Sequence, residues 1–201
     1  MECLNNYLVL NNLNITEGNC GSLESQQNEI IAILNNNKHI SKIMEVGFNA
    51  GHSAELFLLN STAYVYSFDI GHHFHQYLKY GKRYINYKFP NRHTLIFGDS
   101  RESLPRFKNN NDIKFDLIFI DGGHSYEVAY ADLVNCRNLG HSETIVIMDD
   151  IIKNSLYAAP CTNEPTKAWN NMIDANMLQE ISHSNYSVGR GQCVGKYLYE
   201  K

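Results

Sequence analysis

The sequence predicts an α/β fold in which helices cover both faces of a mostly parallel sheet. Between residues 22 and 150, short apolar runs alternate with helical segments. These runs do not alternate between apolar and polar residues, as strands with one solvent-exposed face do. Continuous apolar runs are typical of parallel strands buried on both sides. The clearest run is 115–121, Phe-Asp-Leu-Ile-Phe-Ile-Asp. Strand–helix repetition at this spacing predicts right-handed crossovers between the strands.

Seven strands are predicted, of which the last two form a terminal antiparallel hairpin around Gly189-Arg190-Gly191. The predicted strands are 42–47, 63–69, 93–97, 115–121, 143–149, 182–188 and 192–199. The predicted helices cover residues from about 22 to 34, 53–59, 74–84, 101–107, 126–139 and 166–178. Pro160 and Pro165 are expected to break the chain before the last helix. Residues 1–21 are expected to form an irregular segment, and the absence of a linker predicts a single domain over 1–201.

The composition limits the classes of partner. The chain has 201 residues, a formal net charge of −4 and 19% charged residues, so it lacks the basic surface of a general nucleic-acid binder. No stretch approaches the ~20 apolar residues that span a bilayer, and the N-terminus has no basic region followed by an apolar run. The five cysteines form no Cys-x-x-Cys pair, which indicates free thiols in a reducing compartment. We therefore expect a cytoplasmic protein without nucleic-acid or membrane partners, and homo-oligomer formation stays open.

The first predicted strand runs into a glycine-containing turn, Glu45-Val46-Gly47-Phe48-Asn49-Ala50-Gly51-His52-Ser53. Gly47 and Gly51 bracket the turn, and glycine lets the backbone pass close to a ligand. The following helix supplies free N–H groups at its N-terminus. The turn lacks the Gly-x-Gly-x-x-Gly pattern and a nearby lysine, so it indicates a ligand without phosphates there. This disfavours an NAD-binding oxidoreductase.

Polar residues also end the next two strands. Asp69 is placed to accept hydrogen bonds from two ribose hydroxyls, and Gly98-Asp99-Ser100 offers polar side chains suited to an adenine edge. In open α/β sheets, ligands bind outside the carboxyl ends of the strands, where all these residues are expected to lie. Each aspartate could instead only cap the helix that follows it.

This series of motifs resembles class I S-adenosylmethionine (SAM)-dependent methyltransferases, which have a Rossmann-like three-layer fold. The resemblance implies that Glu45, Gly47 and Gly51 shape a methionine pocket, while Asp69 holds the ribose. Asn49 stands where the commoner pattern has a third glycine, and Asn tolerates the same left-handed backbone. The residues expected to contact SAM are Glu45, Gly47, Asn49, Gly51, Ser53, Asp69, Asp99, Ser100 and Asp121.

Acidic residues end the fourth and fifth strands. Asp121-Gly122-Gly123-His124 follows one strand, and Asp149-Asp150 follows the other. Adjacent parallel strands would bring these three carboxylates together, where they would repel one another. A divalent cation such as Mg²⁺ would relieve that repulsion and could orient a substrate hydroxyl. His124, with an ordinary pKa near ~6.5, is suited to act as the base.

The Asp-Gly-x-His and Asp-Asp motifs resemble those of metal-dependent small-molecule O-methyltransferases of the macrocin and catechol types. The resemblance implies that Asp121, Asp149 and Asp150 bind the metal, and that His124 acts as the catalytic base beside Asp121. It covers most of residues 22–150 and fades over the C-terminal third. The predicted function is methylation of a small-molecule hydroxyl, with a sugar or glycoside preferred on this resemblance alone. A catechol-like phenol acceptor and a non-catalytic SAM-binding module are the alternatives, and His124 could also be a plain loop histidine.

Overall fold

The computed structural model describes residues 3–14, 20–71, 75–187 and 189–199. The chain falls into two units, Met1–Gly98 and Asp99–Lys201. Each unit has its own group of adjacent strands.

The first unit contains three parallel strands in the order β3-β2-β1. Its strands are β1 Lys42–Val46, β2 Tyr64–Asp69 and β3 His93–Phe97. Its helices are α1 Leu4–Leu10, α2 Glu24–Asn36, α3 His52–Asn60 and α4 His75–Lys88, with a 3₁₀ turn at Cys20–Ser22. Helix α4 is amphipathic, because its buried residues Tyr77, Leu78, Gly81, Tyr84 and Ile85 recur at helical spacing.

The second unit contains four strands in the order β4-β5-β7-β6. Its strands are β4 Leu117–Ile120, β5 Ile145–Met148, β6 Leu178–Asn185 and β7 Gly191–Tyr197. Its helices are α5 Ser100–Asn110, α6 Tyr126–Arg137 and α7 Asn163–Asp174, with a 3₁₀ turn at Pro160–Thr162. Strands β4 and β5 are parallel and buried along their whole length, whereas β7 is antiparallel to both β5 and β6.

The seven strands make a mostly parallel sheet that ends in an antiparallel pair. The predicted fold class, a Rossmann-like α/β sandwich with a C-terminal antiparallel hairpin, is confirmed. Among the described residues, no helix is long and apolar enough to cross a membrane.

Three predicted segments differ from the structure. The first strand of the hairpin was predicted at 182–188 but spans Leu178–Asn185, because the last helix ends before it. The segment 1–21 was expected to be irregular, but α1 forms within it because Leu4 and Leu8, one turn apart, are both buried. The last helix begins before Pro165 and not after it, since a proline in the first turn lacks only an N–H that has no intrahelical partner. That helix also ends early, where Asn176 takes a left-handed backbone with φ of 56°.

Replacing Gly81 with alanine should destabilise the first unit. A Cβ at Gly81 would lie 2.1 Å from the Ala50 carbonyl oxygen, so α4 could not keep its close approach to the β1–α3 turn. Overpacking of this kind costs roughly 1–3 kcal/mol, which exceeds the gain of about 1 kcal/mol from alanine's higher helix propensity. Urea unfolding measures the loss. Lys79→Ala, on the exposed face of the same helix, is the control, and equal stability of the two variants would contradict the prediction.

Candidate active site

The β1–α3 turn contains three residues with left-handed backbone. The φ angles are 96° at Gly47, 47° at Asn49 and 94° at Gly51. A Cβ at Gly51 would also lie 2.8 Å from the ring of Phe48. The turn therefore requires glycine at Gly51, and Asn49 adopts the left-handed conformation that asparagine tolerates.

Asp69 holds this turn in place. Its Oδ2 accepts hydrogen bonds from the backbone N–H groups of Phe48 (2.9 Å) and Asn49 (2.8 Å), while Oδ1 accepts from Gly71 N–H at 2.7 Å. Sequence reasoning assigned Asp69 to the ribose and missed this role. A carboxylate oxygen has two lone pairs, so Oδ1 can accept one further hydrogen bond.

Glu45 lies beneath the turn and is fully buried. Its carboxylate accepts hydrogen bonds from the hydroxyls of Ser53 (2.6 Å) and Ser67 (2.5 Å). Burial raises the pKa of Glu45 to about 7, and the two serine hydroxyls offset this only in part. Both Glu45 and Ser53 were expected to contact the cofactor, but in this structure they bond to each other inside the unit.

The same network reaches β3. The Ser67 hydroxyl lies 2.7 Å from Nε2 of His93, whose pKa burial lowers to about 4. His93 is therefore neutral at pH 7. Since the single Ser67 proton is donated to Glu45, His93 Nε2–H donates to the Ser67 oxygen.

In the second unit, Asp99 caps α5. Its Oδ1 accepts from the Arg101 backbone N–H at 2.9 Å, and its Oδ2 lies 2.5 Å from the Arg101 guanidinium. The hydrogen bond from the Arg101 side chain lowers the pKa of Asp99. Ser100 is buried in the first turn of the helix, near the fully buried Asp132, and burial raises the pKa of Asp132 to about 7. Asp99 therefore caps a helix, which is the alternative role that the sequence left open for it.

Asp121 and Asp149 follow the carboxyl ends of two adjacent parallel strands. The register pairs Ile120 with Met148, and Asp149 N–H donates to the Ile120 carbonyl at 2.9 Å. The structure therefore brings the ends of β4 and β5 side by side, as the sequence analysis expected.

Asp150 is the most enclosed of the three acids, with a side chain that is 3% exposed. Its backbone is left-handed, with φ of 55°. Oδ2 lies 2.7 Å from His124 Nε2, and Oδ1 lies 3.2 Å from Arg190 Nη1. Burial raises the pKa of Asp150, but His124 and Arg190 together bring it below its ordinary value. In turn, the contact with Asp150 raises the pKa of His124.

The predicted magnesium ligands do not form one ligand group. Over the described ranges, the His, Cys, Asp and Glu side chains with ligand atoms all within 4.8 Å of one another are those of His124, Asp150 and Cys161. Nitrogen, oxygen and sulfur donors suit borderline metals better than Mg²⁺, which prefers oxygen. Arg190 already lies beside Oδ1 of Asp150, and His124 lies beside Oδ2. This arrangement does not fit a magnesium ion held by the three aspartates.

Arg190 is the site residue that sequence reasoning missed. It lies in the turn of the predicted terminal hairpin and was not among the predicted site residues, yet its side chain is only 23% exposed. The signal was present in the predicted topology, because the turn before a strand antiparallel to β5 must lie near the carboxyl end of β5.

Comparison with known proteins agrees with this fold. Residues 44–151 match the model of a family described as a methyltransferase domain, and the chain belongs to that family. The predicted class, the class I SAM-dependent methyltransferases, is confirmed. No curated protein matches the sequence.

Several solved structures share the fold at low sequence identity. The O-methyltransferase from Bacillus cereus in complex with SAH is 17% identical, with a TM-score of 0.74 over 97% of this chain and 90% of that one. TomG from Streptomyces achromogenes, an O-methyltransferase in complex with SAM, is 10% identical, with a TM-score of 0.71 over 96% and 87%. CalS11, a TDP-rhamnose 3′-O-methyltransferase, is 18% identical, with a TM-score of 0.63 over 85% and 80%.

Glu45→Gln should change how stability depends on pH. The pKa of Glu45 is raised from 4.5 to about 7 in the folded protein, so its contribution to stability is full below pH 4.5 and is lost as the pH rises towards 7. We expect the wild type to lose about 3 kcal/mol relative to Glu45→Gln over this range. His93 is present in both proteins, so its titration largely cancels in the difference.

Urea unfolding at a series of pH values measures this difference. Glu127→Gln, an exposed glutamate in α6, is the control for the substitution itself. A difference between wild type and Glu45→Gln that does not change with pH would show that the buried carboxyl is not titrating as described.

Proposed function

We propose that this protein transfers the methyl group of SAM to a hydroxyl of a small molecule, with a sugar or glycoside as the preferred acceptor. The observation that carries the proposal is the His124–Asp150 pair at the carboxyl ends of β4 and β5, 2.7 Å apart. A paired histidine in that position is a base for a hydroxyl, which a module that only binds SAM does not need. Two similar folds support the type of reaction, since the Bacillus cereus protein is an O-methyltransferase and CalS11 methylates a sugar nucleotide.

In this proposal, the cofactor lies against the residues that the sequence motifs single out. The left-handed turn from Gly47 to Gly51 accommodates the methionine part, with Glu45 and Ser53 supporting the turn from below. The remaining lone pair on Asp69 Oδ1 accepts from a ribose hydroxyl. The sequence motifs also assign Asp99 and Ser100 to the adenine, and Asp121 to the cofactor.

The chemistry is an in-line displacement at the sulfonium methyl group. The acceptor oxygen attacks the methyl carbon, the carbon–sulfur bond breaks, and S-adenosylhomocysteine (SAH) leaves with the electron pair on sulfur. The hydroxyl proton moves to the base. Holding both reactants in attack geometry can lower the barrier by ~7–11 kcal/mol.

Asp150 determines how His124 acts as the base. The carboxylate lies 2.7 Å from Nε2 and favours a proton there electrostatically, so the lone pair for catalysis is on Nδ1. The imidazolium that forms after proton transfer is stabilised by the same carboxylate. His124 is 47% exposed, so an acceptor can reach it. Metal assistance was predicted from the sequence motifs, but the arrangement around Asp150 does not fit a magnesium ion held by the three aspartates.

The proposed reaction is tested by turnover of labelled SAM with nucleotide sugars, glycosides and catechols. We expect label in sugar products and binding of SAH in calorimetry. Label only in catechols would favour the phenol alternative. SAH binding without turnover of any acceptor would favour the binding module, and binding of NAD alone would overturn the proposed function.

His124→Ala should lower kcat by roughly 10²- to 10⁴-fold, with SAH affinity nearly unchanged. His141→Ala is the matched control, because His141 also lies beside an aspartate, 3.2 Å from Asp116. Similar kcat values for the two variants would indicate that His124 is a plain loop histidine and not the base.

The pH dependence of kcat/KM should reflect the titration of His124 beside Asp150. A base must be neutral to accept a proton, and Asp150 raises the pKa of His124, so kcat/KM should rise through a pKa above the ordinary 6.5. Asp150→Asn removes this raising effect and should move the rising limb to lower pH. The measurement is kcat/KM between pH 5 and 9. If the pH dependence of kcat/KM is unchanged in Asp150→Asn, the assignment of His124 as a base paired with Asp150 is contradicted.

A further inference from the structure

We propose that Arg190 provides, within the chain, the positive charge that a divalent cation provides in metal-dependent methyltransferases, so that this protein works without a metal. This inference deepens the proposed function, because it concerns the charge balance of the same site. It rests on the placement of Arg190, on the way its backbone is held and on the acids that surround it.

The strand register places Arg190 at the acids. Strand β7 is antiparallel to β5, and Met148 pairs with Cys193. The residues just before β7 therefore lie beside the residues just after β5. A hydrogen bond extends this pairing beyond the strands, from Ile151 N–H to the Gly191 carbonyl at 2.9 Å.

The two flanking glycines fix the backbone on either side of the arginine. Gly189 has φ of 75°, and a Cβ there would lie 2.4 Å from the ring of Tyr157. A Cβ at Gly191 would lie 2.1 Å from the Ser184 carbonyl oxygen. Neither position accepts a side chain without movement of its neighbours. The backbone conformation around Arg190 is therefore constrained.

The guanidinium faces the carboxylates that the sequence analysis assigned to Mg²⁺. Arg190 Nη1 lies 3.2 Å from Asp150 Oδ1. Asp150, Asp149 and Asp121 all stabilise its charge, in that order, against the effect of partial burial. Arginine suits this position, since it is always charged, is weakly hydrated and donates from a planar fork.

A divalent cation would have to displace this arrangement. An ion bound to Asp150 would share an oxygen with His124 or Arg190, and a charge of +2 would lie next to a fixed +1. With Arg190 in place, part of the charge that would attract such an ion is already balanced. A guanidinium does not activate a bound hydroxyl as a metal does, so proton removal depends on His124.

The test is metal binding and turnover in wild type, Arg190→Gln, Arg190→Lys and Lys196→Gln. Lys196→Gln is the matched control, because Lys196 pairs with Glu143 at 3.2 Å, away from the site, and its loss changes the net charge equally. Mn²⁺ is the probe, followed by calorimetry and electron paramagnetic resonance. We expect no stoichiometric Mn²⁺ binding to wild type, Arg190→Lys or Lys196→Gln, and affinity increased at least about tenfold in Arg190→Gln.

Wild-type turnover should be the same in EDTA and in Mg²⁺. Stoichiometric Mn²⁺ binding to the wild type, or loss of wild-type turnover in EDTA, would overturn the proposal, as would a folded Arg190→Gln variant that gains no Mn²⁺ affinity. If Arg190→Gln does not fold, the two wild-type measurements decide. If the protein methylates none of the acceptors, the proposed function is wrong, whereas the Mn²⁺ binding results still test the role of Arg190.

Discussion

The buried carboxylate of Asp150 is the constraint on which the candidate site of the second unit depends. A carboxylate whose side chain is 3% exposed keeps its charge only when a cation or another polar partner lies beside it. His124, from the loop after β4, and Arg190, from the turn before β7, supply that compensation. Three segments that are distant in sequence are thus held together by one ionised group. Loss of either partner would leave a buried carboxylate less well compensated, so geometry and charge balance at this site are coupled.

Several acids that the motifs assign to ligands also stabilise the local backbone. Asp69 accepts from three backbone N–H groups and so fixes the β1–α3 turn, while Asp99 caps α5. These roles are compatible with ligand binding, because a turn that is already ordered loses little conformational entropy when a cofactor binds. Glu45 is different, since its oxygens are buried and bonded to serines, and its contribution is to the shape of the turn.

Much of the fold could be predicted from the sequence, because buried parallel strands are continuous apolar runs and polar residues mark their ends. Strand β3 was predicted with the observed bounds, and β4 and β5 to within a few residues. Helix α1 was missed because two buried leucines in a polar stretch give a weak periodic signal. The side-chain partners could not be predicted, since the pairing of Asp150 with His124 and Arg190 depends on tertiary distances that no local pattern encodes.

The topology of the sheet explains why Arg190 was not predicted as a site residue. Parallel strands present their carboxyl ends at one edge, and the motifs for ligand binding are usually sought only there. A final strand that runs antiparallel presents its amino end at that edge, so the turn before it becomes part of the same surface. In this chain that turn is Gly189-Arg190-Gly191, within the C-terminal third, where the family resemblance fades. The turn before β7 therefore brings Arg190 to the same surface as the acids that follow β4 and β5.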